Sequence, residues 1–331
     1  MIISKTPLRV SFFGGGTDFP AYFEREKGAV IGTTIDKYVY VSVNKSSQFF
    51  EYNYRVSYSK AELVKKIDEI IHPSVRETLK YRKIKDGLDI HIFTDLPAKT
   101  GLGSSSSFTA GFLNALYAYD GKTIPKKKLA EQAIYIEQKM IKENVGSQDQ
   151  VHAAYGGFNI IKFSKTGFSV KPVMISKEKL NALESSLVCF YTGQTRYATE
   201  VLKEQIQNIK SYNKDKYLEK MYGLVFEAQK IISGDSNAGM VEDFGKLLHE
   251  NWNLKKNLST MVSNRLIDDI YEAGMNAGAY GGKIMGAGNG GFMLFVAAKN
   301  KQNKIRQALK KLLELKIKFE NKGSHILYVT K

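Results

Sequence analysis

The 331-residue sequence predicts an α+β fold in two domains. Both halves of the chain mix helical and strand-like patterns without the regular alternation that is typical of a doubly wound parallel sheet. At roughly 150 residues per domain, the length also suggests two domains. The composition shifts towards longer helical segments after residue 175, so the predicted domains are residues 1–175 and 176–331.

The predicted elements of the first domain follow from alternation, β-branched runs and helical periodicity. Residues 2–10 form a strand that ends in three glycines, and Pro20 stands in the first turn of a helix. The other predicted strands are 29–44, 52–58, 88–95 and a hairpin of 156–163 with 168–174, and the predicted helices are 61–82, 105–119 and 126–142.

The predicted second domain begins with a short strand and continues with mostly helical sequence. A second glycine-containing strand region and one further helix precede the last strand. The predicted segments are the strand 188–191, the helical region 195–277, the strands within 283–298, the helix 301–315 and the strand 324–329.

Positive charge is the one unusual feature of the composition. The chain has 49 Lys and Arg against 33 Asp and Glu, a formal net charge of +16. The lysines are scattered rather than gathered in a stripe, and no nucleic-acid-binding motif accompanies them. We therefore interpret most of them as solvated surface, with no nucleic-acid partner, while a basic cleft for phosphorylated substrates remains an alternative.

Cysteine, histidine and apolar runs exclude several other classes. Cys189 is the single cysteine, so an internal disulfide and a thiolate metal site are both excluded. The five histidines lack metal-ligand spacing. No apolar run approaches the roughly 18 residues of a membrane span, and no leader pattern precedes Pro7. We expect a cytoplasmic protein with no membrane partner.

The glycine cluster at residues 97–107 predicts an anion site because it runs into the start of a helix. Gly101 and Gly103 allow a phosphate to approach the backbone, and the first helical N–H groups point outwards. The hydroxyls of Ser104 and Ser105 can add hydrogen bonds, and one of them could bind Mg²⁺. The alternative is a serine-rich helix cap that binds nothing.

Other phosphate motifs do not fit. The chain has no G-x-x-x-x-G-K-S/T string. Gly286, Gly288 and Gly291 satisfy G-x-G-x-x-G, but a strand-like run follows them where a dinucleotide fold needs a helix.

Three motifs taken together resemble the GHMP kinases, a family named for galactokinase, homoserine, mevalonate and phosphomevalonate kinases. They are residues 7–18 (PLRVSFFGGGTD), 97–107 (PAKTGLGSSSS) and 283–291 (KIMGAGNGG), in this order along nearly the whole chain. The resemblance implies an N-terminal domain like the second domain of ribosomal protein S5, a ferredoxin-like C-terminal domain, and an active site between them. It also implies ATP and Mg²⁺ as cofactors.

The resemblance also assigns roles to residues. Asp149, within GSQDQ, corresponds to the catalytic base, and Arg9 would hold the charge of the reacting oxygens. Glu137 with Ser105 would bind the metal. The ATP phosphates would contact Gly101, Leu102, Gly103, Ser104, Ser105, Ser106 and Ser107. The alternatives are a turn or helix-cap role for Asp149, a surface or ion-paired role for Arg9 and a solvated helix face for Glu137.

The first motif narrows the substrate. Galactokinase-like members carry a glutamate where this chain has Gly15, and the absence of that charge suits a phosphorylated sugar. Together with residues 192–196 (TGQTR), the motifs resemble the branch of the family that phosphorylates the anomeric hydroxyl of heptose 7-phosphates, which supplies GDP-heptose for surface polysaccharide. The implied substrate residues are Gly15, Gly16, Thr17, Asp18, Arg196, Gly288 and Asn289.

Three other readings stay open at this point. The first is another sugar 1-kinase of the family, for example a fucokinase-like enzyme. The second is a non-catalytic sensor of sugar and ATP on the same fold, and the third is a basic nucleic-acid binder. For Arg196, an ordinary role in the first turn of a helix is a further alternative. The oligomeric state is undetermined, with a homodimer as one option.

Overall fold

Two β-sheets organise the chain in the computed structural model, which describes residues 1–194, 198–234 and 238–330. The strands are β1 (Ile2–Phe13), β2 (Gly28–Lys45), β3 (Tyr54–Ser57), β4 (Ala61–Val64), β5 (Leu88–Thr94), β6 (Phe158–Ser164), β7 (Gly167–Pro172), β8 (Leu187–Tyr191), β9 (Gly281–Ile284), β10 (Phe292–Val296), β11 (Leu313–Leu315), β12 (Phe319–Glu320) and β13 (His325–Val329). The helices are α1 (Pro20–Phe23), α2 (Pro73–Arg82), α3 (Ser104–Tyr119), α4 (Lys126–Tyr135), α5 (Gln148–Tyr155), α6 (Lys177–Ser186), α7 (Ala198–Lys210), α8 (Asp215–Ser233), α9 (Met240–Lys256), α10 (Arg265–Asn276) and α11 (Gln302–Ala308).

The first sheet has nine strands and is built around the long strand β2. This strand pairs antiparallel with β1, β5, β6 and the short β12, so its residues meet neighbours along its whole length. Apolar side chains on α3 pack against β1 and β2, and Phe12 and Phe112 are fully buried there. Burial of large aromatic rings of this kind supplies much of the driving force for folding.

The second sheet has four antiparallel strands in the spatial order β11, β8, β10, β9. In chain order these are the fourth, first, third and second strands, which is the strand order of the ferredoxin-like fold. Helices α9 and α10 pack against β9 and β10, and Trp252 lies fully buried among the apolar side chains there. The predicted mixed two-domain fold is therefore confirmed.

The last two strands cross back to the first sheet. β12 pairs with β2 and β13 pairs with the outer edge of β1, with Ile2 opposite Val329. Residues 319–329 therefore belong to the first sheet, although the predicted division assigns them to the second domain. The division near residue 175 stays a prediction for the remainder of the chain.

Three predicted elements need correction. Residues 61–64 form β4 because their alternating side chains pair with β3, and the helix begins only at Pro73. Residues 313–315 pair with β8 as a strand, so α11 ends at Ala308. Pairing with the preceding strand β3 in the first case, and with the distant strand β8 in the second, outweighs local helical propensity. Helix α4 ends at Tyr135 and continues as one π-helical turn, Ile136–Met140.

None of the helices in the described part of the chain has the length and apolar character needed to span a bilayer.

Candidate active site

The three glycine loops that the sequence singles out come together between the two sheets. A Cβ atom added at Gly101 would lie 2.4 Å from the carbonyl oxygen of Met285, and one added at Gly291 would lie 2.3 Å from that of Thr100. The second and third loops therefore touch backbone to backbone, which only glycine permits. The amide of Arg9, near the first loop, also donates to the carbonyl of Leu102 at 3.0 Å.

A forked ion pair lies at the centre of these loops. Arg9 donates from Nε to Asp149 Oδ1 at 2.7 Å and from Nη2 to Asp149 Oδ2 at 2.6 Å. Its Nη1 donates to the carbonyl of Gly101 at 2.6 Å. A bidentate arginine–carboxylate pair is stronger and better oriented than a single contact. The two residues that the sequence predicts as a catalytic pair are thus brought together.

The carboxylate of this pair remains partly exposed. The Asp149 side chain is 24% exposed, against 6% for Arg9. Asp149 lies in the first turn of α5, but its oxygens contact Arg9 rather than cap the helix. A Cβ atom at Gly103 would lie 3.4 Å from Asp149 Oδ2, so the start of α3 borders the carboxylate directly.

The N-terminus of α3 presents backbone N–H groups without a side-chain cap. Gly103 takes the N-cap position at φ +81°, and no side chain caps the helix. Ser104 and Ser105 are partly or fully exposed at this end. Unsatisfied amides and the helix dipole make such an end a site for phosphate oxygens.

Two of the predicted phosphate-binding hydroxyls are used elsewhere. Ser107 donates to the carbonyl of Pro7 at 2.8 Å, and Ser106 donates to Glu137 Oε2 at 2.8 Å. Both serines are buried, as is Leu102, so their side chains serve the interior of the protein. The serine side chains that remain open at this end of the helix are those of Ser104 and Ser105. Phosphate binding by residues 101–107 stays a prediction.

Glu137 is fully buried and fits a metal ligand. Ser106 and Gln150 donate to its Oε2 at 2.8 and 2.5 Å, while Oε1 has no hydrogen-bond partner among the described residues. Burial raises the pKa of Glu137 to about 7, and hydrogen bonds from neighbouring side chains act against that shift. An unpaired buried carboxylate oxygen is costly unless a cation completes it. The alternative of a solvated helix face is wrong for this residue.

The serine beside this carboxylate differs from the predicted one. Ser106 contacts Glu137, whereas Ser105 is exposed and its carbonyl accepts a hydrogen bond from Thr109 at 3.2 Å. Among the described residues, no cluster of three or more His, Cys, Asp or Glu side chains could hold a metal. Mg²⁺ usually takes one or two carboxylates and completes its shell with phosphate oxygens and water, so one glutamate suffices.

The first loop is more structural than its sequence suggests. The Thr17 hydroxyl is fully buried and lies 2.8 Å from the carbonyl oxygens of both Gly14 and Ala29. Asp18 is buried and accepts backbone N–H groups from Gly16 at 2.9 Å and Gln148 at 3.4 Å. Burial raises the pKa of Asp18. Thr17 therefore fixes the loop to the start of β2, and Asp18 ties it to α5. The substrate role of Thr17 and Asp18 stays a prediction.

Gly15 and Gly16 differ in the space around them. A Cβ atom at Gly15 would meet only Gln148 Nε2, at 3.8 Å, whereas one at Gly16 would come within 3.1 Å of Leu218 and Leu258. Gly15 therefore leaves open volume at the position where galactokinase-like members carry a carboxylate. Gly16 packs against apolar side chains.

The remaining predicted substrate residues lie in or beyond the third loop. Gly288 faces the carbonyl of Val262, which an added Cβ atom would approach to 2.5 Å. The Asn289 side chain accepts a hydrogen bond from Asn264 at 2.6 Å. Arg196 lies outside the described residues. A substrate role for Gly288, Asn289 and Arg196 stays a prediction.

Two lysines near the pair were missed by sequence reasoning. Lys283 is buried and donates to the carbonyls of Ser11 at 2.8 Å and Phe12 at 3.0 Å, which ties β9 to β1. Lys255 is buried in α9 and donates to the carbonyl of Gly286. The signal for Lys255 was its helical spacing from Leu248 and Trp252, which places a charge on the apolar face of α9.

Phosphoryl transfer between a nucleotide and a hydroxyl group needs a positioned carboxylate, a neighbouring cation and a site for phosphate oxygens. All three lie within this cleft, so fold and site together define a small-molecule kinase. Residues 63–157 match the GHMP kinases N terminal domain and residues 236–315 match the GHMP kinases C terminal domain. The chain belongs to the GHMP kinase family and is a phosphotransferase with a hydroxyl acceptor.

Individual relatives and solved structures agree with this family assignment. The chain is 30% identical to the D-glycero-alpha-D-manno-heptose 7-phosphate kinase of Campylobacter jejuni, over 94% of this chain and 93% of that one. It is 28% identical to the bifunctional fucokinase/GDP-fucose pyrophosphorylase of Arabidopsis thaliana, over 71% of this chain and 22% of that longer protein. The crystal structure of a D-glycero-D-manno-heptose 1-phosphate kinase from Bacteroides thetaiotaomicron has the same fold, with a TM-score of 0.80, 22% identity and full coverage of both chains.

Proposed function

We propose that this sugar kinase transfers the γ-phosphoryl group of ATP to the anomeric hydroxyl of D-glycero-D-manno-heptose 7-phosphate. The product would be heptose 1,7-bisphosphate, a precursor of GDP-heptose and surface polysaccharide. The observation that carries phosphoryl transfer is the forked pair of Arg9 and Asp149 beside the start of α3. The heptose 7-phosphate kinase among the relatives supports the choice of sugar.

Asp149 is the proposed base. The anomeric hydroxyl is more acidic than an ordinary alcohol, so a carboxylate can accept its proton as the new bond to phosphorus forms. Arg9 grips both oxygens of Asp149, which fixes the carboxylate and keeps a positive charge next to the reacting oxygen. The 24% exposure of the Asp149 side chain leaves it accessible to a substrate hydroxyl.

The N-terminus of α3 is the proposed seat of the ATP phosphates. Its uncapped amides, with Gly101, Gly103, Ser104 and Ser105, offer donors and close backbone approach. Glu137 would hold Mg²⁺ through its unpartnered Oε1, and Ser106 rather than Ser105 is the hydroxyl beside it. When bound there, Mg²⁺ would neutralise charge on the phosphate oxygens.

Gly15 supports a phosphorylated sugar over a neutral one. It leaves open space next to Gln148 and supplies no negative charge. A carboxylate at this position would repel an anionic substituent, so its absence removes a barrier to a sugar that already carries phosphate. Arg196 and the third-loop residues Gly288 and Asn289 remain the proposed contacts for the sugar and its distal phosphate.

A fucokinase-like sugar 1-kinase is the second candidate. The relative from Arabidopsis thaliana favours it, because a fucokinase matches over 71% of this chain. Such an enzyme would act on a neutral sugar. The two candidates therefore differ in whether the phosphate at the far end of the sugar contributes to turnover.

A coupled assay of ADP release separates them. The purified protein is given ATP and Mg²⁺ with heptose 7-phosphate, the matching unphosphorylated heptose, or L-fucose, each at several concentrations. We expect kcat/KM for the 7-phosphate to exceed that for the neutral heptose by at least about 10²-fold, as loss of a charged contact implies. Equal turnover of heptose and its 7-phosphate would reject the heptose 7-phosphate assignment, and preferential turnover of fucose would support the second candidate.

A further inference from the structure

Lys255 is a buried cation to which the proposed function assigns no role. Its side chain is 5% exposed, and its ammonium donates to the carbonyl of Gly286 in the third loop. Gly286 in turn lies against Gly101, because a Cβ atom added at Gly286 would come 2.5 Å from Gly101 Cα. Gly101 accepts a hydrogen bond from Arg9. Lys255 thus reaches the junction of the second and third loops, next to the catalytic pair.

Lys255 makes no ion pair with a carboxylate among the described residues. Arg9, Lys255 and Lys283 are buried near Asp18 and Asp149, and burial lowers the pKa of Lys283 well below its ordinary value and raises the pKa of Asp18. The ammonium of Lys283 donates hydrogen bonds to two backbone carbonyls, and Asp149 accepts its hydrogen bonds from Arg9. An ammonium group has three donors, and only one of those on Lys255 has a partner among the described residues.

Burial and, after it, the positive charge of Arg9 lower the pKa of Lys255 to about 8, against the opposing effect of Asp18 and Asp149. A desolvated ammonium beside an arginine is unfavourable unless an anion joins them. The anion that this cleft must hold during the reaction is the transferring phosphoryl group.

We infer that Lys255 is a second catalytic cation, which contacts the γ-phosphoryl group of ATP opposite Arg9. This inference rests on the proposed transfer from ATP to a sugar hydroxyl, and it names the group that Lys255 touches. The hydroxyl proton passes to Asp149 while the sugar oxygen bonds to the γ-phosphorus. The bond from that phosphorus to the β–γ bridging oxygen breaks, and ADP leaves with the electron pair. Lys255 stabilises the charge on the transferred oxygens throughout.

The location at the second loop distinguishes this role from binding of the distal sugar phosphate. Gly101 and Gly286 belong to the junction beside Asp149, where the acceptor hydroxyl must lie. The phosphate at the other end of the substrate is separated from that hydroxyl by the length of the sugar. Loss of Lys255 should therefore slow the chemical step equally for phosphorylated and unphosphorylated sugars.

The test compares Lys255→Met and Lys255→Arg with the parent protein on any sugar that the parent phosphorylates, so it stands even if that sugar is not heptose 7-phosphate. We expect kcat to fall by about 10²- to 10³-fold in Lys255→Met, the usual cost of losing one preorganised donor to a transition state. The KM for the sugar should stay within a few fold. The parent should lose activity as the pH rises through about 8, where Lys255 deprotonates, and Lys255→Arg should move that loss to higher pH.

Lys256→Met is the matched control, since Lys256 is the next residue of α9 and its side chain is 36% exposed. It should keep the parent kcat. Thermal unfolding of each variant, and its affinity for ATP, establish that the fold and the nucleotide site are intact. If Lys255→Met keeps the parent kcat, the inference is wrong. A rise in KM confined to phosphorylated sugars would also overturn it, because that result places Lys255 at the distal phosphate.

Discussion

At the scale of single residues, the proposed phosphoryl transfer depends on Arg9 and Asp149. They lie 140 positions apart in the sequence and meet through two hydrogen bonds of 2.6–2.7 Å. Because each oxygen of Asp149 has its own arginine nitrogen, the carboxylate is fixed in orientation. His152 lies buried in α5, the helix that carries Asp149. Burial and the charge of Arg9 lower the pKa of His152 to about 3, so it is neutral. It therefore adds no positive charge to compete with Arg9.

Gly15→Glu tests the proposed reason why the enzyme would accept a phosphorylated sugar. We expect it to lower kcat/KM for heptose 7-phosphate by at least about tenfold relative to the unphosphorylated heptose, because like-charge opposition costs a kcal/mol or more. Gly15→Gln adds the same volume without the charge, and a Cβ atom at position 15 meets only Gln148 Nε2, at 3.8 Å. Kinetic constants for both sugars with both variants provide the measurement. Identical changes in the two variants would show that volume, not charge, matters here.

The raised pKa of Glu137 predicts a pH-dependent metal requirement. A proton competes with Mg²⁺ for this carboxylate below pH 7, so the free Mg²⁺ needed for half-maximal turnover should be about tenfold higher at pH 6 than at pH 8. Glu137→Gln should remove this pH dependence, along with most of the activity. A Mg²⁺ requirement that changes equally with pH in parent and variant would contradict the assignment.

The raised pKa of Glu137 also makes folding stability depend on pH. This dependence is opposite in sign to that of an ion-paired carboxylate, whose pKa is lowered by folding. Folding raises the pKa of Glu137 from 4.5 to about 7, so the unfolded chain releases this proton at lower pH than the folded chain. In Mg²⁺-free buffer, stability should fall as the pH rises from about 4.5 to about 7. Chemical unfolding at several pH values should show Glu137→Gln gaining stability relative to the parent across that window.

At the scale of elements, helix α3 serves the site at its start and the core along its length. Ser106 and Ser107 turn inwards to Glu137 and Pro7, while Ser104 and Ser105 remain at the open end. The sequence predicted this helix and its anion-binding start from glycine and serine content. It could not distinguish inward from outward hydroxyls, because that depends on how α3 lies against β1 and the turn that holds Glu137.

A glycine at each end of α3 offers a matched pair of variants. Gly103 and Gly121 both have positive φ, at +81° and +68°. A Cβ atom at Gly103 would lie 3.2 Å from Arg9 Cγ, whereas one at Gly121 would have no atom within 4 Å. Both alanine variants should lose about 1–2 kcal/mol of stability through backbone strain. Only Gly103→Ala should also lower kcat, which the coupled assay measures; equal activity of the two variants would show that Gly103 does not border the reacting groups.

At the scale of the whole molecule, the two sheets are held together by β1 and by the last strands. Lys283 of β9 bonds carbonyls of β1, and β12 and β13 return from the second sheet to pair with β2 and β1. The family resemblance predicted the ferredoxin-like sheet and a site between the two domains, where the glycine motifs meet. The returning strands were not, because residues 319–329 form a strand pattern that does not specify which sheet it joins.

Truncation tests whether the pairing of β12 and β13 with the first sheet stabilises the protein. A chain that ends after Lys318 loses β12 and β13 and leaves the edge of β1 unpaired. We expect its midpoint of thermal unfolding to fall by at least about 4 °C, which for a chain of this length corresponds to a loss of roughly 3 kcal/mol or more. A chain that ends after Val329 keeps both strands and should unfold close to the parent. Equal midpoints for the two truncated chains would contradict a structural role for the last strands.

The rate of sugar phosphorylation by Asp149→Asn decides whether Asp149 is the base. This variant keeps the shape of the side chain but cannot accept the hydroxyl proton. We predict that kcat falls by at least about 10²-fold while the affinity for ATP, measured by calorimetry, stays within a few fold of the parent. A variant that binds ATP and turns over sugar at the parent rate would show that Asp149 is not the base.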